Sequence, residues 1–319
     1  MKLITIGDIF DTYVKIKQQG FSFIFSKNGL NKTKRIIKNW NENKNISGFH
    51  HIPYLIEHQN KLITGDKNIS YPKYFCKKYL ANNQKYKMLS VGCGTGFYER
   101  EFYKEGYFSK IVGIELSANR VKEAEELASK SNFNITYLNK NFYDIDFNEK
   151  FDVILFNASL HHFENIETLL SNYIKALLKS DGYLIVCEYV GKNRLHIPDF
   201  QLKEINKLLL IMRLKYRKYL AIRYYKNKVY SPGIIRMKLN DPSEAVDSEA
   251  ILPTLHKYFK ILEETQLGFN LLMPLLRGIA HNFINMDNEA KQILDTLIEA
   301  DVNFTTKNKI SDFIFGVYQ

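Results

Sequence analysis

Cysteine is scarce. Cys76, Cys93 and Cys187 are too few and too far apart for a disulfide framework, and no C-x-x-C pair offers a zinc site. Proline is rare as well, and with 45% hydrophobic residues the chain can bury a core rather than stay disordered. No apolar run approaches the roughly 20 residues needed to span a bilayer. The opening MKLITIGDIFDTY sets Asp8 and Asp11 where a secretory signal would carry its apolar stretch, and no small-residue cleavage site follows. A cytoplasmic location is therefore expected. His50, His51 and His58 fall in FHHIPYLIEH, which lacks H-E-x-x-H or a comparable ligand spacing. A helical surface explains them, and no metal is expected.

What the chain has in excess is positive charge, +11 over 319 residues. Residues 203–228 concentrate it, with nine basic side chains and one acidic. Such a stretch, read as basic helices, suits anions such as phosphorylated substrates, nucleic acid or acidic lipid headgroups. A solvated helix face explains the same residues.

No internal repeat or low-complexity linker divides the sequence. Residues 1–80 read as a helical N-terminal cap, broken at Gly20, Gly29, Gly48 and Gly65 and at the Asn-rich turn NWNENKN. From residue 81 to 190 short apolar runs alternate with amphipathic stretches: KMLSVG, KIVGIE, ITYLN, FDVILFN and GYLIVCEYV, with helical patterns between. That is the β-α-β succession of a parallel sheet covered on both faces. Val121, Ala124, Leu127 and Ala128 form one core stripe at helical spacing. Ile166, Leu169, Leu170, Tyr173, Ile174 and Leu177 form another, which Gly182 is expected to terminate. Residues 191–250 are expected to be a basic helical insertion or lid. In 251–319, YFKILEET and DFIFGVYQ read as late strands, with NLLMPLLRGIAHNF and NEAKQILDTLIEA as helices between them.

The informative stretch is LSVGCGTGFYER. A buried strand ends at Val91, and Gly92, Gly94 and Gly96 turn the chain tightly into a helix whose N–H groups are free for a ligand. Glu115 ends the next strand, where a carboxylate can accept both hydroxyls of a ribose. Dinucleotide enzymes use G-x-G-x-x-G; here the spacing is G-x-G-x-G, followed by bulky Phe97 and Tyr98.

At this point the sequence resembles the class I S-adenosylmethionine-dependent methyltransferases, whose first motif is a V-G-C-G-T-G type loop. The resemblance runs over about residues 86–190 and takes in Glu115, FDVILFN and the LHHF step at 160–163. It implies an α/β fold: a Rossmann-like class I methyltransferase sheet with helices on both faces. It further implies that Gly92, Cys93, Gly94 and Gly96 line the methionine part of S-adenosyl-L-methionine, that Glu115 holds its ribose, and that Leu116 packs on its adenine. Asn141 stands where many members have an Asp that contacts the adenine, with Asp144 as the alternative, and Asn157 and Ala158 pass close to the cofactor. Less specific marks, LITGD (62–66), EYVGKNRL (188–195) and DPSEAVDSEAILP (241–253), resemble a bacterial subgroup associated with polysaccharide biosynthesis. They imply a sugar or sugar-linked acceptor, possible also as a phosphorylated or nucleotide-linked form.

A hydroxyl acceptor needs its proton removed. Candidates at the C-terminal ends of the fourth and fifth strands are His161, His162 and Glu188, with Tyr189, Arg194 and His196 as substrate contacts and Asp199 just beyond. A histidine there can equally pack beside the cofactor, and Glu188 can equally pair with a lysine. Three alternatives stand beside this reading. An RNA methyltransferase would use the basic, Tyr-rich stretch, yet no RNA-binding module or N-P-P-Y type motif is present, so nucleic acid is not an expected partner. A non-catalytic binding protein would not need the intact glycine loop. An NAD-dependent enzyme lacks both its loop spacing and a Tyr-x-x-x-Lys pair.

Overall fold

A computed structural model describes residues 2–19, 32–42, 48–220 and 222–319. The break points expected at Gly20 and Gly29, and residues 43–45 of the NWNENKN turn, lie outside these residues; residues 39–42 of that stretch end a helix instead of forming a turn. Helices α1 (Ile6–Gln19), α2 (Lys32–Glu42), α3 (Pro53–Thr64) and α4 (Tyr71–Tyr79) precede the sheet. Gly65 ends α3 in the left-handed conformation, as its place in the sequence suggested.

Seven strands follow: β1 (Tyr86–Val91), β2 (Phe108–Glu115), β3 (Ile135–Asn139), β4 (Phe151–Asn157), β5 (Leu178–Tyr189), β6 (Ile261–Gly268) and β7 (Phe313–Tyr318). Their order is β3-β2-β1-β4-β5-β7-β6. The first five are parallel, and β7 runs antiparallel between β5 and β6. The order reverses between β1 and β4, so their C-terminal ends open the crevice where ligands sit in such sheets.

The alternation of side chains along the strands divides the core. Met88, Val153, Leu155, Ile185 and Phe315 point into one apolar cluster, while Leu89, Val91, Ile154, Phe156, Val186 and Ile314 point into the other. Because both faces are covered, the strands read as continuous apolar runs instead of alternating ones. The first cluster takes in Leu55, Ile63, Phe75 and Cys76 from α3 and α4, so this part of the leader packs directly on the sheet.

Three local expectations are corrected. The basic stretch forms one helix, Asp199–Ile211, then a 3-10 turn at Leu214–Arg217 and irregular chain. The reason is tertiary: Lys226 is buried with its ammonium on the carbonyls of Pro274, Leu275 and Arg277, and Lys215 and Arg213 pair with Glu289. NLLMPLLRGIAHNF is not one helix. It holds Leu272–Leu276, then a break at Gly278 with φ +83°, then a 3-10 turn. Gly182 does not terminate the preceding helix, which ends at Leu177; it lies inside β5, where a Cβ would meet the Asp152 carbonyl at 3.0 Å.

Candidate functional site

The glycine turn is built around positive φ. Gly92, Gly94 and Gly96 sit at +77°, +58° and +70°, a region open to glycine at little cost. At two of these positions space is as restrictive as conformation. A Cβ on Gly92 would lie 2.5 Å from the Ser159 Cβ, and one on Gly96 2.2 Å from the Tyr137 hydroxyl. Gly92 N–H and Cys93 N–H both donate to the Ile114 carbonyl, which pins the turn to the end of β2.

Glu115 closes this arrangement. One carboxylate oxygen accepts from the Gly94 N–H at 3.1 Å and the other from the Ser117 N–H at 2.8 Å. Burial raises its pKa above the usual carboxylate range, against the lowering effect of the Ser117 bond and of Arg120. Two recesses lie on either side of the Glu115–Leu116 step. The first is lined by Trp40, Gly92, Glu115, Arg120, Ala158, Ser159, His162, Asp241 and Glu244. The second is lined by Thr33, Ile37, Leu116, Asn139, Lys140, Asn141 and Asp144. Adjacent residues Glu115 and Leu116 divide between them, and α2 contributes to both through Trp40 and through Thr33 and Ile37. Asn141 accepts from the Tyr143 N–H and caps a 3-10 turn, so its side chain is fixed at the edge of the second recess.

After β4 the chain turns sharply at Ala158, whose φ of +49° is unusual for a residue with a side chain. The turn is held from beneath. Glu188, buried at the end of β5, accepts the N–H groups of Ser159 at 2.7 Å and Leu160 at 2.6 Å, and Ser159 Oγ donates to the Val91 carbonyl. Glu188 also forms a short ion pair with His161 Nδ1. Burial alone would push the Glu188 carboxyl up, but the His161 charge and bond, with the backbone donors, hold it below the usual range. Burial likewise pulls His161 down, and the Glu188 carboxylate, with Glu244 and Asp241, reverses this and pushes it up to about 9.

His162 is different. It lines the first recess, its ring lies 5.1 Å from that of Trp40, and its Nδ1 is 3.2 Å from Ser243 Oγ. Burial, then the neighbouring His161 charge, lowers its pKa. Ser243 Oγ gives its proton to Asp241 at 2.6 Å, so it accepts from His162 Nδ1–H and leaves the lone pair on Nε2.

The other expected residues fall behind this front. Asn157 accepts from the Tyr71 hydroxyl of α4 at 2.8 Å. Tyr189 is buried and donates to the Lys192 carbonyl. Arg194 Nη1 donates to the carbonyls of Pro242 and Glu244, and His196 Nδ1 contacts Ser231 Oγ, so both fasten loops. Trp40, Arg120, Ser159, Asp241, Ser243 and Glu244 escaped the sequence reading. The only signals for them were a solitary tryptophan and the DPSEAVDSEAILP mark.

Comparison with known proteins bears on the same stretch. A family model described as a methyltransferase domain matches residues 82–230. A ubiquinone biosynthesis O-methyltransferase of Rhodopseudomonas palustris (strain TIE-1) is 31% identical over 117 residues, 35% of this chain and 45% of that protein. The protein of the same name from Rickettsia akari (strain Hartford) is 24% identical over 162 residues, 50% of this chain and 59% of its own. The chain thus spans about half the length of the curated relatives it matches. Among solved structures, the [4+2]-cyclase SpnF aligns with a TM-score of 0.45 at 13% identity, covering 84% of this chain and 95% of that one. The plantazolicin methyltransferase BpumL in complex with SAH aligns at 0.43 and 13%, covering 90% and 94%. No described helix is long and apolar enough to cross a membrane. The seven-stranded α/β sheet is Rossmann-like, and the stretch matched by the methyltransferase-domain model, residues 82–230, contains the glycine turn, Glu115 and the Leu160–His162 step.

Proposed function

We propose that the chain transfers a methyl group from S-adenosylmethionine to an oxygen of a small acceptor and releases S-adenosylhomocysteine. One observation carries this: the Glu115 carboxylate is fixed by the Gly94 and Ser117 N–H groups in the lining of the first recess, beside Leu116 of the second. The donor set fits a nucleoside-bearing sulfonium. The Glu115 carboxylate keeps acceptor capacity for a ribose hydroxyl, Leu116 and Ile37 offer apolar contact for a purine, and Asn141 and Asp144 offer polar contact at its edge. Gly92, Ala158 and Ser159 line the first recess side by side, the missing Cβ of Gly92 leaving room for Ser159.

S-adenosylmethionine supplies a methyl carbon made electrophilic by its sulfonium. The protein's share is to hold the acceptor in line with it and to exclude water. Trp40 and the 241–244 loop cover the first recess, in keeping with a leader and a 191–250 insertion that close over the site. His162, Asp241 and Glu244 are the groups placed to meet a polar acceptor.

An oxygen acceptor is supported by the names of the curated relatives, which are O-methyltransferases. The sugar-linked acceptor rests on the leader and insertion marks alone, and the relatives' names speak instead for ubiquinone biosynthesis. The first test is calorimetric titration of S-adenosylmethionine and S-adenosylhomocysteine into wild type and Glu115→Ala, with NAD as control. The expected result is binding of both sulfur ligands that weakens at least tenfold (about 1.4 kcal/mol) in the variant. Binding of NAD alone would sink the proposal. Nucleotide sugars and dihydroxybenzenes, offered side by side as methyl acceptors, then decide the substrate class.

A further inference from the structure

Beside the recess assigned to the methyl donor, two histidines and a carboxylate converge. One ligand atom from each of His161, His162 and Glu244 lies within 4.8 Å of the others. His161 Nε2 and Glu244 Oε1 are 3.7 Å apart. From this geometry we propose that His161, His162 and Glu244 form a binding site for a divalent first-row transition cation, open toward the acceptor.

The surroundings of the two rings set them up for this. In metal sites a ligating histidine usually donates its other N–H to a carboxylate or an oxygen that fixes the ring and its tautomer. Both histidines do so here. His161 Nδ1 is held by the buried Glu188 carboxylate, which is itself anchored by the Ser159, Leu160 and Tyr189 N–H groups. His162 Nδ1 is held by Ser243, which passes its own proton to Asp241. His161 Nε2 is left on the side of Glu244, and one ring nitrogen of His162 lies within 4.8 Å of both. The two neighbouring residues thus have separate supports on separate elements, β5 and the 241–244 loop, yet each brings a ring nitrogen to the same cluster.

Two imidazoles and one carboxylate suit zinc, manganese, iron or cobalt better than magnesium or calcium, which favour oxygen throughout. Ligand atoms around such a cation sit roughly 3.4 Å apart. The cluster therefore has to close by about 1 Å, and Glu244, on a loop and partly exposed, is the member able to move. Three protein ligands leave open positions, and two adjacent oxygens of a vicinal diol or catechol would fill them. This deepens the methyltransferase reading and rests on it for the chemistry. A hydroxyl bound to the cation gives its proton to water, its oxygen lone pair forms the new O–C bond, and the C–S bonding pair returns to sulfur.

The test is direct binding. Chelator-treated protein is titrated with Co²⁺, followed by visible absorption, and with Zn²⁺, followed by calorimetry. Wild type, Glu244→Gln and His162→Gln are compared, with S-adenosylhomocysteine titrated in parallel. His161 is left intact, because its removal would strand the buried Glu188 charge. One equivalent of cation in wild type, bound at least tenfold more weakly by both variants, is the expected result. No binding, or variants that bind as wild type does, overturns the site. If S-adenosylhomocysteine binds and the cation does not, the cation site falls and the methyltransferase reading stands. If the cation binds at this cluster and S-adenosylhomocysteine does not, the site stands and that reading falls.

Discussion

The indole N–H of Trp40 donates to Asp241 Oδ2 at 3.0 Å, a bond between residues 201 apart in sequence. It ties the leader helix α2 to the loop that also holds His162 and Glu244, across the mouth of the first recess. Arg120 stacks over the same ring at 5.8 Å.

Trp40 is the only tryptophan, so the protein's indole fluorescence reports on this recess alone. Saturation with S-adenosylhomocysteine should change the emission, and Trp40→Phe should lose the signal and weaken cofactor binding several-fold by releasing α2 from Asp241. Unchanged emission at a concentration where calorimetry shows full occupancy would remove Trp40 from the site.

Gly96→Ala tests the glycine turn. The left-handed φ and the 2.2 Å approach to the Tyr137 hydroxyl should together cost about 2–3 kcal/mol of stability. Tyr137 packs with Val121, Ala124 and Ala128 and has little room to retreat. Gly96→Ala with Tyr137→Phe should recover part of the loss in a denaturant titration. No recovery would show that backbone strain and the ring carbons at 2.6 and 2.8 Å, not the hydroxyl, set the cost.

Lys226 supports the C-terminal region from a distance. Its Nζ donates to three carbonyls, those of Pro274, Leu275 and Arg277, at 2.8–2.9 Å. Lys226→Met keeps most of the stem and removes the donors, for an expected loss of about 2–3 kcal/mol, since hydrogen bonds to charged groups are the strong ones. Thermal unfolding should shift down by several degrees while affinity for S-adenosylhomocysteine holds. A fall in affinity without a fall in stability would instead place this lysine in ligand binding.

Glu99 gives a pH dependence of defined sign. It is buried in the helix after the glycine turn (Phe97–Lys104), and burial outweighs its short bond from Ser90 Oγ to raise its pKa to about 7. Between the ordinary glutamate value near 4.5 and about 7 the folded protein keeps a proton that the unfolded chain has lost. Stability from this group is therefore fully present below 4.5 and declines as pH rises to 7, by roughly 3 kcal/mol. Glu99→Gln should gain on wild type progressively across that window and by a constant amount above it. Parallel pH–stability curves for the two proteins would refute the assignment.

Much of the architecture was legible in the chain because its causes are local. Continuous apolar runs at strand length, separated by helix-period stretches, can be satisfied only by a sheet covered on both faces. Three glycines with G-x-G-x-G spacing make the tight turn, and the next strand ends on Glu115 because the β-α-β unit returns it there. The parallel core from Tyr86 to Tyr189 and the late pair at Ile261–Gly268 and Phe313–Tyr318 follow from such patterns. Basic residues at 203–228 misled, since helix propensity counts for less than the carbonyls that capture Lys226 and the acids that capture Arg213 and Lys215.

The site's division of labour was decided in three dimensions. His161 and His162 are adjacent and chemically identical in sequence, yet one lies against Glu188 beneath the turn while the other faces the recess beside Trp40. Sequence periodicity does not specify which does which, because the assignment is set by the turn at Ala158 and by Ser243, 81 residues away. The sequence by itself determined a tight glycine turn and the carboxylate opposite it, through backbone constraints acting within a few residues. Only the tertiary structure brought Trp40, Asp241 and Glu244 to that turn, because contacts between distant segments are settled by packing of the whole core and leave no local pattern in the chain.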